Sequence, residues 1–95
     1  SASYQKGSIE KNHEYIRYVL PKGSSFNSLT QEDCDLLASH INSTSRIILN
    51  NKTPYEAIST LMSKEIINKF NIIEIKADDI NLSPSLLKNR GKHNG

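Results

Sequence analysis

Between Gly7 and the Pro21-Lys22-Gly23 turn, apolar or semi-polar side chains recur at Ile9, His13, Ile16 and Leu20. A spacing of four, three and four residues lines one face of an α-helix and no face of a strand. Tyr15, Tyr18 and Val19 widen that apolar side, and Glu10, Glu14 and Arg17 share a neighbouring face. The helix is predicted to start near Gly7 or Ser8. With Gly7 as its cap, Glu10 is the third helical residue and can reach back to a free backbone N–H. Pro21 cannot continue the helix, and Lys22-Gly23 supplies a turn. The local sequence thus confines this stretch to one short amphipathic helix.

Two more helices are predicted downstream. Ser24 to Leu29 is a polar loop with Phe26 and Leu29 as anchors. Thr30 then caps a second helix, with Asp33 three residues on in the reciprocal capping position and Glu32 beside it. Cys34, Leu37 and Ile41, flanked by Leu36 and His40, form its inward stripe. Asn42-Ser43-Thr44-Ser45 ends it. Arg46-Ile47-Ile48-Leu49 is either extended or a helical turn, and Asn50-Asn51 suits a turn with positive φ. Thr53-Pro54-Tyr55-Glu56 combines a cap, a proline at the first helical position and a glutamate at the third. The third helix so begun carries Ala57, Ile58, Leu61, Met62, Ile66 and Phe70 as core residues. Asn71 ends it in a left-handed conformation with Ile72 folding back. Ile73-Glu74-Ile75 reads as a short edge strand or extended chain. Asp78-Asp79 reads as a loop or a helix start, and Ser83-Pro84 as the cap of a short terminal helix with Leu86 and Leu87. Lys88 to Gly95 is a basic tail expected to be disordered. The fold class is mainly α.

The size of the core is limited by composition. Only 36% of the 95 residues are hydrophobic, and tryptophan is absent. A chain this short and apolar-poor has a thin core and benefits from a partner surface. The lone Cys34 excludes an internal disulfide and a thiolate-rich zinc site, and is expected to be a small buried apolar residue. No apolar run approaches the roughly 20 residues of a membrane span, and no secretory signal is visible, so a reducing cytoplasm is the expected location. A net charge of +2 permits contact with DNA phosphates without predicting it. Lys6, Lys11, Arg17 and Lys22 form a modest basic group around the first helix, either phosphate-tracking or simply solvated.

The chemically suggestive residue is Glu10. A carboxylate on a rigid helix with polar neighbours is what a metal-dependent phosphoryl-transfer site uses, although a first-turn glutamate also serves as a plain cap. His13 lies on the inner side of the same helix, where half-buried histidines are commonly structural. His40 and His93 have no ligand spacing. Asp78 and Asp79 are adjacent and point apart.

The run Gly7-Ser8-Ile9-Glu10-Lys11-Asn12-His13-Glu14-Tyr15-Ile16-Arg17, followed by Pro21-Lys22-Gly23, resembles the end of the catalytic core of insertion-sequence transposases. These are DDE (Asp-Asp-Glu) enzymes with a retroviral-integrase-like, RNase H-like fold. His40-Ile41-Asn42, Arg46, Leu49 and Lys52-Thr53-Pro54-Tyr55-Glu56 resemble that family's downstream block. The family's usual Arg-Pro ahead of that arginine is replaced by Thr44-Ser45. The resemblance implies that Glu10 is the third acidic residue and a ligand of Mg²⁺ or Mn²⁺, supported by Asn12 and His13. It implies DNA contacts at Arg17, Lys22 and Arg46, and DNA cleavage and strand transfer as the activity of the whole, bacterial, cytoplasmic enzyme. Residues 1–71 would be the helical C-terminal portion of the catalytic core, lacking its central sheet. Residues 72–95 would be an extension with a short helix and a basic tail.

The same resemblance requires two upstream aspartates, and the nine residues before Glu10 contain none. The chain alone is therefore expected to be inactive. Without a sheet to pack on, the Ile9, Ile16 and Leu20 face is expected to be bare and to drive homo-oligomerisation, with helix exchange as one route. The alternative reading is a non-catalytic helical module that binds DNA or pairs with another subunit.

Overall fold

The computed structural model describes residues 13–23 and 26–87, with the side chains of His13 and Phe26 outside the description. The expected helix start at Gly7 or Ser8, the Ile9, Glu10 and Asn12 positions, Lys6, Lys11, the Phe26 anchor and the tail from residue 88 lie outside the described residues. What is described is mainly α. In chain order the elements are α1 (His13–Val19), a 3-10 turn at Phe26–Ser28, α2 (Gln31–Asn42), a 3-10 turn at Ile47–Leu49, α3 (Pro54–Ile58), α4 (Lys64–Asn68) and a 3-10 turn at Ala77–Asp79. A further helical turn occupies 85–87. The described residues contain no named strand, only an isolated antiparallel bridge between Arg46 and Lys52.

Helix α2 is the centre of the molecule. Its start follows the local chemistry of the sequence. Thr30 Oγ1 accepts from Asp33 N at 3.0 Å, and Asp33 Oδ2 accepts from Thr30 N at 3.0 Å. A reciprocal cap of this kind is worth about 1 kcal/mol. Cys34, Leu37, Ala38 and Ile41 are buried along it. Ile16 and Val19 of α1 join Cys34, Leu37, Ile41 and Leu86 in one cluster, edged by Tyr15, Leu20, Leu29, Leu36, Leu82 and Leu87. Each large side chain buried there contributes about 1.5–3 kcal/mol. The expected bare face is corrected at Ile16, which is buried, and at Leu20, which is half-buried against the cluster, while Ile9 lies outside the described residues. Ile16 and Val19 are 6% and 2% exposed because α2 and the C-terminal segment cover them within one chain.

The predicted third helix is also corrected. It divides into α3 and α4. Ser59 Oγ and Thr60 Oγ1 donate to the carbonyls of Glu56 and Ala57, both at 2.8 Å. Such back-bonding competes with helical continuation. Ser63 then caps α4, accepting from Ile66 N at 3.2 Å. The division rotates the apolar residues out of register. Ile58, Leu61, Met62, Ile66 and Phe70, expected as core, are exposed, and Tyr55 and Ile67 are the buried residues of α3 and α4. The Tyr55 hydroxyl meets the Asn68 side-chain amide at 3.1 Å, tying the two helices together. Asn71 does adopt the left-handed conformation, with φ of 65°.

From Asn71 the chain returns along α2 as an extended strap, not as an edge strand. Ile73 N donates to Ser39 Oγ at 3.0 Å and Ile75 N to Ser43 Oγ at 2.9 Å. The register has a simple cause. Four residues of helix rise about 6 Å and two residues of extended chain span about 6.6 Å. Two serines one turn apart therefore match alternate amides of the strap. Leu82, Leu86 and Leu87 then pack on the central cluster, so the segment beyond residue 71 shares the core of the preceding helices. Replacing both serines by alanine is expected to lower unfolding free energy by about 1 kcal/mol for each lost bond. Urea denaturation measures the loss, and amide exchange at Ile73 and Ile75 should accelerate with it.

Candidate nucleic-acid interface

The residues singled out for DNA contact fall in three different settings. Arg17 stands on the outer side of α1, exposed beside Glu14 and Tyr18. Lys22 is exposed in the turn that follows Pro21, where Gly23 takes a φ of 90°. Neither side chain is committed to the core, and both are open to a phosphate. His13 opens α1, and its side chain lies outside the described residues, as do Glu10 and Asn12.

Arg46 has a different role in the fold. Its Nη2 donates to Ile41 O at 2.9 Å and its Nε to Thr44 O at 3.2 Å. The guanidinium therefore closes the carbonyl end of α2, where a cation also complements the helix dipole. The same group lies over the Tyr15 ring, 4.6 Å from its centroid. Arg46 thus joins α1, α2 and the turn that it begins. Tyr15 and Arg17 are separated by about 200° around α1. The structure accordingly brings Arg46 to the Tyr15 side of the helix and leaves Arg17 on the other.

The Arg46–Lys52 turn is tightly hydrogen-bonded. Arg46 N donates to Lys52 O at 3.0 Å, and Arg46 O accepts from Leu49 N and Asn51 N at 3.1 and 2.8 Å. Asn50 and Asn51 take φ values of 59° and 67°, the left-handed conformations expected for asparagine here. At its tip Ile47 and Ile48 are 91% and 92% exposed. Their periodicity could not show this, because a two-residue apolar run has no face.

His40 flanks the inward stripe of α2 as the sequence indicates, but the sequence does not disclose the roles of Ser39 within the helix and Ser43 at its C-cap. Ser39, His40 and Ser43 are all buried. His40 Nδ1 accepts from Asn81 N at 3.0 Å, which places the proton of the neutral ring on Nε2. Burial pushes the His40 pKa below its ordinary value, and the Asp79 carboxylate partly opposes the shift. The available signal was the i, i+4 spacing of two serines inside a hydrophobic stripe, a position where hydroxyls need partners.

Among the described residues, no three His, Cys, Asp or Glu side chains come together in a group able to hold a metal ion. No helix among them is long and apolar enough to cross a membrane. Compared with protein-family models, curated proteins and solved structures, the chain has no significant match.

Proposed function

We propose that this chain is the C-terminal portion of an RNase H-like DDE transposase core, acting on DNA in the bacterial cytoplasm. One observation carries the reading. The Gly7, Glu10, Arg17 and Pro21-Lys22-Gly23 block and the Arg46 and Thr53-Pro54 block resemble the family's pattern in order and spacing, with Thr44-Ser45 as the departure. The exposure of Arg17 and Lys22 supports it, since phosphate contact requires solvated cations. In this reading Arg46 acts through its hold on α1 and α2, which sets the position of the adjoining turn beside DNA. Glu10 contributes one carboxylate of a Mg²⁺ or Mn²⁺ site, and two aspartates from a longer parent chain contribute the others. Bound there, the cations would supply Lewis-acid activation of the attacking and leaving oxygens. The overall reaction is hydrolysis at a transposon end followed by transesterification of the freed 3′ hydroxyl into target DNA.

The test compares the intact gene product with the present chain. The intact product is expected to nick duplex DNA carrying its own element ends in Mg²⁺ or Mn²⁺. The present chain should be inert and should bind Mn²⁺ only weakly in isothermal titration. A folded intact product without nicking activity, or tight Mn²⁺ binding by this chain alone, would overturn the reading.

A second reading is favoured by the covered face of α1. Ile16 and Val19 are already buried by the chain itself, as in a self-standing helical module with no missing sheet. Such a module would bind DNA or a second copy through exposed residues and perform no cleavage. Exposed Ile47, Ile48 and Leu61 offer apolar surface for self-association in either reading. Since α1 is satisfied internally, pairing would not require helix exchange.

A further inference from the structure

Three backbone amides of the returning strap donate to side chains of α2: Ile73 to Ser39, Ile75 to Ser43 and Asn81 to His40. The two serine acceptors keep their chemistry at any ordinary pH. The third does not. An imidazolium carries a proton on both nitrogens, so a charged His40 would present Nδ1–H to the Asn81 N–H, donor against donor. His40 is 6% exposed, and charging a buried group is costly. Directly beyond Asn81, Leu82 and Leu86 lie on the central cluster, so whatever loosens residue 81 loosens their packing.

We propose that the 80–87 end of the strap is a pH-gated latch, closed by neutral His40 and opened when the imidazole takes up a proton. Opening uncovers the part of the α1–α2 core on which Leu82 and Leu86 rest, while Ser39 and Ser43 keep the 73–75 stretch in place. Asp79, in the 3-10 turn just before the latch, is the charged group that bears on His40 among the described residues. Its carboxylate favours the charged form of the latched ring, which narrows the gap to the ordinary value and limits how far closure weakens at low pH.

The direction of the effect follows from linkage. The latched ring has its pKa below the ordinary 6.5. Above that ordinary value both states are neutral and the latch has its full strength. As pH falls below it, the released ring takes a proton and the latched ring does not. Closure then weakens by about tenfold per pH unit until pH passes the lowered value.

Nuclear magnetic resonance on the full chain tests this between pH 8 and 5. The His40 ring nitrogens report the tautomer, and amide exchange at Asn81, corrected for intrinsic rates, reports the latch. At pH 8 the ring should carry its proton on Nε2. As pH falls, Asn81 protection should drop relative to Ile73 and Ile75 by about tenfold per unit inside the window. His40→Asn keeps an acceptor on the same short stem without a titrating ring, and should make Asn81 protection independent of pH. Asp79→Asn should lower the latched ring's pKa further and so deepen the loss of Asn81 protection at low pH, and serves if His40→Asn does not fold. A constant ratio of Asn81 to Ile73 protection would overturn the proposal. So would a pH dependence that survives in His40→Asn, simultaneous loss of all three amides with those of α2, or an Asp79→Asn loss of Asn81 protection at low pH that stays the same or shrinks.

Discussion

In the intact gene product, Glu10→Gln is expected to reduce metal-dependent DNA cleavage by about a hundredfold or more. Glutamine keeps the size of the side chain and its ability to close a capping box, so helix formation should be unaffected. It removes the negative charge, which is the property a divalent cation requires of a ligand. The comparison variant is Glu14→Gln, on the exposed side of α1, which should retain cleavage within a few-fold. Rates on a supercoiled or end-bearing duplex, with circular dichroism to show equal folding, make the measurement. Unimpaired cleavage by Glu10→Gln would remove the carboxylate from the proposed cation site and leave the helical-module reading as the stronger one.

Leu37→Ala is expected to be the most damaging single truncation among the described residues, at about 2–5 kcal/mol. Leu37 is fully buried in the middle of α2, in the same cluster as Ile16, Val19 and Ile41. Small domains have total stabilities of about 5–15 kcal/mol, and this one has few large apolar residues to share the load. The variant should therefore unfold at much lower urea concentration, or populate the unfolded state without denaturant. The midpoint of chemical unfolding, followed by helical signal, reports it. A loss below about 1 kcal/mol would mean that the α1–α2 cluster is not the principal core.

The features legible in the sequence share one property, short range. The Thr30–Asp33 and Thr53–Glu56 reciprocal caps each join residues three apart and form as expected. The stripe of Cys34, Leu37 and Ile41 is buried as its period requires. Asn50, Asn51 and Asn71 take left-handed conformations where the turn chemistry places them. The proposed site is legible only as a pattern of residue types. Arg17 and Lys22 are visible as cations at the surface, but the pattern does not disclose that Arg46 spends two nitrogens on the end of α2.

Other features misled because periodicity identifies an apolar face without saying what covers it. Ile58, Leu61, Met62, Ile66 and Phe70 fit one continuous helix. The hydroxyls of Ser59, Thr60 and Ser63 end one helix and start another between them. Ile16 was expected to await a sheet, and its own chain covers it. In each case a few hydrogen bonds or a competing surface outweighed a pattern whose separate contributions are small.

By itself the amino-acid order determined where α2 and α3 begin, which side of α2 is apolar, and where the backbone turns left-handed. Those outcomes depend on atoms a few residues apart, so the local sequence contains all of their partners. Only the tertiary structure decided that the chain after Asn71 comes back to α2. The bonds that hold it there link residues 34, 32 and 41 positions apart. A serine or histidine does not announce a partner at such a distance, since any exposed backbone amide can serve. The partner is selected by which segments the hydrophobic core draws together, and that is a property of the whole chain.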